Sequence, residues 1–129
     1  MRKIKFRGKD FRNKWIFGDL LHKRYTVFAT HMIEDSNGLG SDVHPETIGQ
    51  FTGVLDKNGV EIYEGDIITF TRYAGSFALG LKQVSSTHTV VWEPDLMRFG
   101  LSNKSENSQK FRVVPSYTYE VIGNIFDNN

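Results

Sequence analysis

Lys3, Lys5 and Arg7 alternate along the start of the chain, and Lys9, Arg12 and Lys14 follow in a polar stretch. Alternation places the first three on one face of a strand and the other three on the loop after it. Cations spaced in this way can track phosphates along a nucleic-acid backbone, each neutralised phosphate releasing counterions. Trp15, Tyr25 or Tyr73, if exposed nearby, would then stack bases. The same pattern also suits a solvated edge, because alternating Lys discourages edge-to-edge strand pairing.

A second set of candidates is acidic. Glu61, Glu64 and Asp66 lie within six residues of one another, as an acid/base pair or a metal site would require. No calcium-loop spacing accompanies them, and Asp66 also fits a turn residue whose side chain accepts local backbone N–H groups. His22, His31, His44 and His88 form no HxH or HExxH pair, so metal binding would need them to converge in space. No serine sits in a GxSxG elbow. With no cysteine there is no disulfide, thiolate nucleophile or Cys-type zinc site.

The chain has 129 residues, enough for one domain or for two small β-units. No apolar run approaches the roughly 20 residues that span a bilayer. The basic N-terminus lacks the apolar segment of a signal peptide, so a cytoplasmic protein is expected. The net charge of +1 is unevenly spread. Residues 1–24 carry nine Lys or Arg against two Asp, a local +7, while residues 25–129 carry seven against thirteen acids, a local −6. Such a chain can bind an anionic partner through its basic end, or a copy of itself, basic end to acidic body.

The elements that would position these groups read as short strands. Residues 2–7 form one, with Ile4 and Phe6 inward, followed by a hairpin loop at residues 8–14. Residues 15–21 put Trp15, Phe17 and Asp19 on one side and Ile16 and Leu20 on the other; residues 25–29 form a third, short strand. Residues 30–47 form an exposed connection, with a hairpin tip at Asn37-Gly38 and one helical turn opening at Pro45.

The centre, residues 45–70, is a β-meander: strand 51–55, the turn Asp56-Lys57-Asn58-Gly59, strand 60–63, a bend at Gly65 and strand 67–71. Residues 72–87 lack a period and suggest a mobile insertion, although Phe77, Leu79 and Leu81 could dock on the body. Strand 88–92, a turn at residues 93–95, and strand 97–101 with Met97, Phe99 and Leu101 on one face come next. Residues 102–110 suggest a polar loop, 111–114 and 117–122 are strands, and Ile125 and Phe126 tuck against the body. No stretch has the period of a helix, so the class is mainly β, and short antiparallel strands favour a small barrel.

Three segments resemble the YopX-like proteins of phages and prophages: IKFRGK with the following WIFG, the central PETIGQFTGVLDKNGVEIYEGDIITF, and the closing YEVIGNIFDN. The resemblance spans both ends and the middle. It implies a mainly-β fold with an SH3-like barrel and a bacterial or phage setting, with no catalytic residue and no cofactor to carry over. The expected division is an N-terminal β subdomain with its connecting loop at residues 1–48, a barrel at 49–126 and a tail at 127–129. Within the central motif, Gly49, Gln50, Phe51, Thr52, Gly53, Asp56, Asn58, Gly59, Tyr63, Glu64, Gly65 and Asp66 are read as structural.

The expected function is non-catalytic binding, to another copy or another protein. Nucleic-acid binding through the basic strand is the alternative, and a carboxylate enzyme the second alternative. No membrane and no small-molecule substrate is implied.

Overall fold

The computed structural model describes residues 3–23, 30–103, 106–110 and 118–127. Within them lie eleven strands and one 3-10 turn, in two compact units, Met1–Gly53 and Val54–Asn129. The mainly-β class is correct, and every described strand pairing is antiparallel.

The first unit contains β1 (Phe6–Lys9), β2 (Trp15–His22), β3 (His31–Glu34), β4 (Gly40–Asp42), the turn Pro45–Thr47, and most of β5 (Gly49–Leu55). Their hydrogen-bonded order is β4-β3-β2-β1-β5. The sheet buries Ile33 and Val43 completely. Gly8 allows that packing, since a side chain there would meet Ile33 and Val43 at 3.2 Å. The 3-10 turn is tied to β1 by Thr47, whose Oγ1 accepts the Lys9 N–H at 2.8 Å.

The second unit adds β6 (Glu61–Tyr63), β7 (Asp66–Ser76), β8 (Gly80–Glu93), β9 (Arg98–Asn103), β10 (Glu106–Lys110) and β11 (Thr118–Asn124). Five of them are ordered β10-β9-β8-β7-β11. The period-two alternation of apolar residues builds its core from Ile62, Ile68, Phe70, Val90, Leu101 and Tyr119. Phe70 stacks on Tyr119 with ring centroids 5.4 Å apart, and His88 meets the same Phe70 ring edge-on at 6.0 Å.

One turn is built three times. Asp10, Asp35 and Asp56 each accept two backbone N–H bonds on Oδ1, from the residues two and four positions on, at 2.8–3.0 Å. In each case the Asp carbonyl accepts the N–H of the residue three positions on. That residue is left-handed: Asn13, Gly38 and Gly59 have φ of 63°, 81° and 82°. The arrangement is a three-residue hairpin loop with a bulge, and only a residue tolerant of positive φ closes it without strain. Asp56 goes further: it is buried, and its Oδ2 accepts the Val121 N–H at 3.0 Å, which ties the hairpin to β11.

Several expectations are corrected. The SH3-like barrel is not found: no sheet closes among the described residues, because β5 pairs with β1 while β7 and β8 spend their length on each other. The insertion expected at residues 72–87 is instead the outer part of the β7–β8 ribbon, paired down to Ser76↔Gly80. It shows no period because both faces meet solvent. Ser102 and Asn103 continue β9, and residues 106–110 form β10; backbone pairing at a sheet edge needs no apolar alternation. Met97 is a left-handed turn residue, φ 50°, and is exposed rather than sharing a face with Leu101. The strands expected at residues 25–29 and 111–114 lie outside the described residues.

Asp56 generates a test. Burial pushes its carboxyl up, but N–H bonds from Val121, Val60 and Asn58 and the Lys57 charge outweigh it and hold the pKa below 3.8. A depressed pKa means stability present above the unfolded-state value and lost as pH falls through the folded one. Asp56→Asn turns an amide donor toward backbone donors, so denaturant unfolding at pH 7 is expected to show a loss of about 2–3 kcal/mol. The variant is also expected to lose the part of the acid sensitivity below about pH 4 that Asp56 confers.

Candidate functional site

The register of the first unit sets the N-terminal cations against aromatics. Arg7 lies opposite Phe17 and Lys9 opposite Trp15. The Arg7 guanidinium sits 4.5 Å from the Trp15 ring centroid, with Lys9 Nζ at 5.4 Å from the same ring and Lys5 Nζ at 5.9 Å from Phe17. Lys9, expected on the loop, is instead the last residue of β1, and with Lys5 and Arg7 it forms a cation–aromatic layer rather than a freely solvated edge. Arg7, expected on the solvent side, is only 6% exposed, while the Gly8 side of β1 still packs on Ile33 and Val43, so both faces of the strand are covered; Ile4, expected inward, precedes β1 and is 64% exposed. Gly49, the partner of Arg7 on β5, has no side chain to compete for that space.

Of the other expected binding cations, Lys3 precedes β1, and Arg12 and Lys14 are exposed in the Asp10 turn. The N–H groups of Lys14 and Arg12 hold the Asp10 carboxylate below its usual pKa against a weaker opposing effect of desolvation. Trp15 is half-buried, Tyr73 is 56% exposed, and Tyr25 lies outside the described residues.

Beside this layer is an open cleft of about 400 Å³. Ile4 and Phe17 supply its apolar surface, Lys3 and Lys5 line it, and so do Asp19, Glu34 and Asp35. Asp19 and Glu34 are direct cross-strand partners, and like charges so placed disfavour each other. Gly18 keeps β2 close to β3 here, since a Cβ on it would overlap the Glu34 carbonyl oxygen.

Asp66 and Glu61 of the central motif both bond Tyr63, one at its backbone and one at its hydroxyl. Asp66 is buried and its Oδ2 accepts the Tyr63 N–H at 2.7 Å. Glu61 Oε1 accepts the Tyr63 hydroxyl at 2.9 Å. Asn58 donates to Glu120 at 3.5 Å, and Gly65, φ 93°, donates to the Val90 carbonyl while its own carbonyl accepts the Ile125 N–H. Phe126 packs over Gly65, where a side chain would approach its ring to 2.9 Å.

Gly49 and Gln50 pair with β1, Phe51 is buried, Thr52 is half-buried within β5, and Gly53 has φ 88°. Glu64, half-buried, lies between β6 and the Gly65 bend. Cross-strand pairing brings His22 and His31 together, ring centroids 4.9 Å apart. Among the described residues no three His, Asp or Glu side chains gather into a metal-binding group.

The second unit carries an apolar surface at Phe77, Leu79 and Leu81, expected to dock on the body and instead exposed. β11 accompanies β7 as far as Thr71, and β9 accompanies β8 only from Thr89 onward. Past these points, among the described residues, the β7–β8 ribbon runs on for five further pairs, roughly 17 Å at strand rise. Its tip carries Phe77, 95% exposed, and Leu79, 92% exposed, with Tyr73, Leu81 and Val84 behind them. Between Asp66 and Glu93 there is no carboxylate, and Arg72 and Lys82 supply positive charge along the ribbon. The available signal was that combination: apolar residues bounded by Gly75 and Gly80, with no acid nearby.

A family model described as YopX protein matches residues 5–129. No curated protein matches the chain.

The cation–aromatic layer is expected to stabilise the first unit rather than to be dispensable. Arg7→Ala, which removes a buried stem and a cation stacked on Trp15, should cost about 2 kcal/mol in unfolding followed by tryptophan fluorescence. Lys14→Ala at the exposed turn should stay within about 0.5 kcal/mol.

Proposed function

Starting from a chain that belongs to the YopX protein family, we propose that it is a non-catalytic interaction module that acts by self-association. The observation that carries this reading is the β7–β8 ribbon. A monomeric soluble protein gains nothing from holding Phe77 and Leu79 in water at the end of a two-stranded extension, and exposed apolar groups collected in one place mark an interaction surface. The uneven charge supports the same reading, because a basic N-terminal stretch and an acidic remainder complement each other between copies. The buried carboxylates Asp56 and Asp66 support the non-catalytic part, since backbone N–H groups already occupy both oxygens of Asp56 and Oδ2 of Asp66. A phage or prophage setting within the bacterial cytoplasm belongs to the same proposal.

Nucleic-acid binding is the second reading, favoured by the row Lys5, Arg7 and Lys9 beside Phe17 and Trp15. It is weaker because Arg7 is buried, which leaves fewer cations to neutralise phosphates.

Size exclusion with light scattering separates the two. A discrete multimer, present at both low and high salt and unchanged by single-stranded or duplex nucleic acid, is expected. A monomer that co-elutes with nucleic acid and releases it at high salt selects the second reading.

A further inference from the structure

We propose that the tip of the β7–β8 ribbon of one copy docks into the first-unit cleft of a second copy, Phe77 and Leu79 against Ile4 and Phe17. The proposal rests on the self-association reading and names a contact, one that draws on the local charges of tip and cleft and not on the overall split between the basic N-terminal stretch and the acidic remainder.

Four features of the two surfaces fit. The first is polarity: the tip presents two almost fully exposed apolar side chains, and the cleft offers Ile4, 64% exposed, and Phe17, 40% exposed. The second is size: about 400 Å³ lies in the range of clefts that hold a small ligand, ~300–1,000 Å³, enough for one or two side chains.

The third is charge. Arg72 and Lys82 stand behind the tip with no carboxylate from residue 67 to 92, while Asp19, Glu34 and Asp35 border the cleft. Asp19 and Glu34 face each other across β2 and β3, and a cation arriving between them relieves their repulsion. The cleft's own Lys3 and Lys5 lessen its negative charge without cancelling three carboxylates.

The fourth is the shape of the contact. Exposure is highest at residues 77 and 79 and lower at Tyr73, Leu81 and Val84, which suits end-on insertion. Pairing two ribbons side by side would instead bring Arg72 and Lys82 of both copies together, an unfavourable arrangement. Tip and cleft are different surfaces, so the contact is heterologous, and repeated contacts give a ring or an open chain.

The test uses two variants of the full chain. The tip variant carries Phe77→Ser and Leu79→Ser; the cleft variant carries Asp19→Lys and Glu34→Lys. All four positions are exposed, so both should fold, with far-UV circular dichroism and melting temperature close to the unmodified chain. In light scattering each variant alone should be monomeric at concentrations where the unmodified chain is a multimer, its apparent dissociation constant raised at least ~100-fold. Mixed one to one they should form a dimer and stop there, because only one intact tip and one intact cleft remain.

A tip variant that assembles like the unmodified chain, or a mixture that stays monomeric, overturns the proposed contact while self-association stands. An unmodified chain that is monomeric at every concentration overturns both.

Discussion

One carboxylate ties the turn at residues 56–59 to the last strand of the second unit, β11. Asp56 is charged, buried and saturated: two N–H groups of its own turn on one oxygen, and the Val121 N–H of a strand 65 residues away on the other. A buried anion is tolerated only when hydrogen bonds replace water, and here the backbone supplies all three. The adjacent Lys57 N–H donates to the Tyr119 carbonyl, so two consecutive residues of the turn lock onto β11. β11 in turn pairs with β7, placing Tyr119 on Phe70 in the core. A local turn and a long-range strand pairing therefore depend on the same side chain, which is why Asp, and not merely a polar residue, suits position 56.

The ribbon shows the opposite balance. Near the core, β7 and β8 alternate buried and half-buried residues, and their register is held by Ile68, Phe70 and His88. Outward of residue 71, among the described residues, only Ala74 is even half-buried, so little burial rewards alternation and the pairing rests mainly on backbone hydrogen bonds. Strands without a buried face are weakly specified, and Gly75 and Gly80, both at positive φ, remove side chains where the tip must turn. A segment so lightly supported by its own chain is the one whose apolar residues are available to another.

In the first unit β1 is covered on both faces, Gly8 packing on Ile33 and Val43 and Arg7 on the opposite side. Arg7 is buried because Trp15 offers a flat ring for its guanidinium and Gly49 leaves room beside it. Ile4 precedes the strand, lines the open cleft and stays exposed. Hydropathy ranks Ile inside and Arg outside; a guanidinium laid on an indole, with its methylene stem packed, overturns that ranking.

What the amino-acid sequence determined by itself is local. Mainly-β class, the hairpins at residues 8–14, 37–38 and 56–59, the 3-10 turn at Pro45 and the role of Asp66 all follow from side chains acting on backbone a few residues away. The signature residues Gly59 and Gly65 were legible for the same reason, since positive φ is a property of one residue. Only the tertiary structure decided that β5 pairs with β1, that Asp56 reaches Val121, that Arg7 is buried and that residues 72–87 form a ribbon with an apolar tip. Each of these depends on what stands opposite a residue across a sheet, and a period of two states that a residue has a side without stating what meets it there.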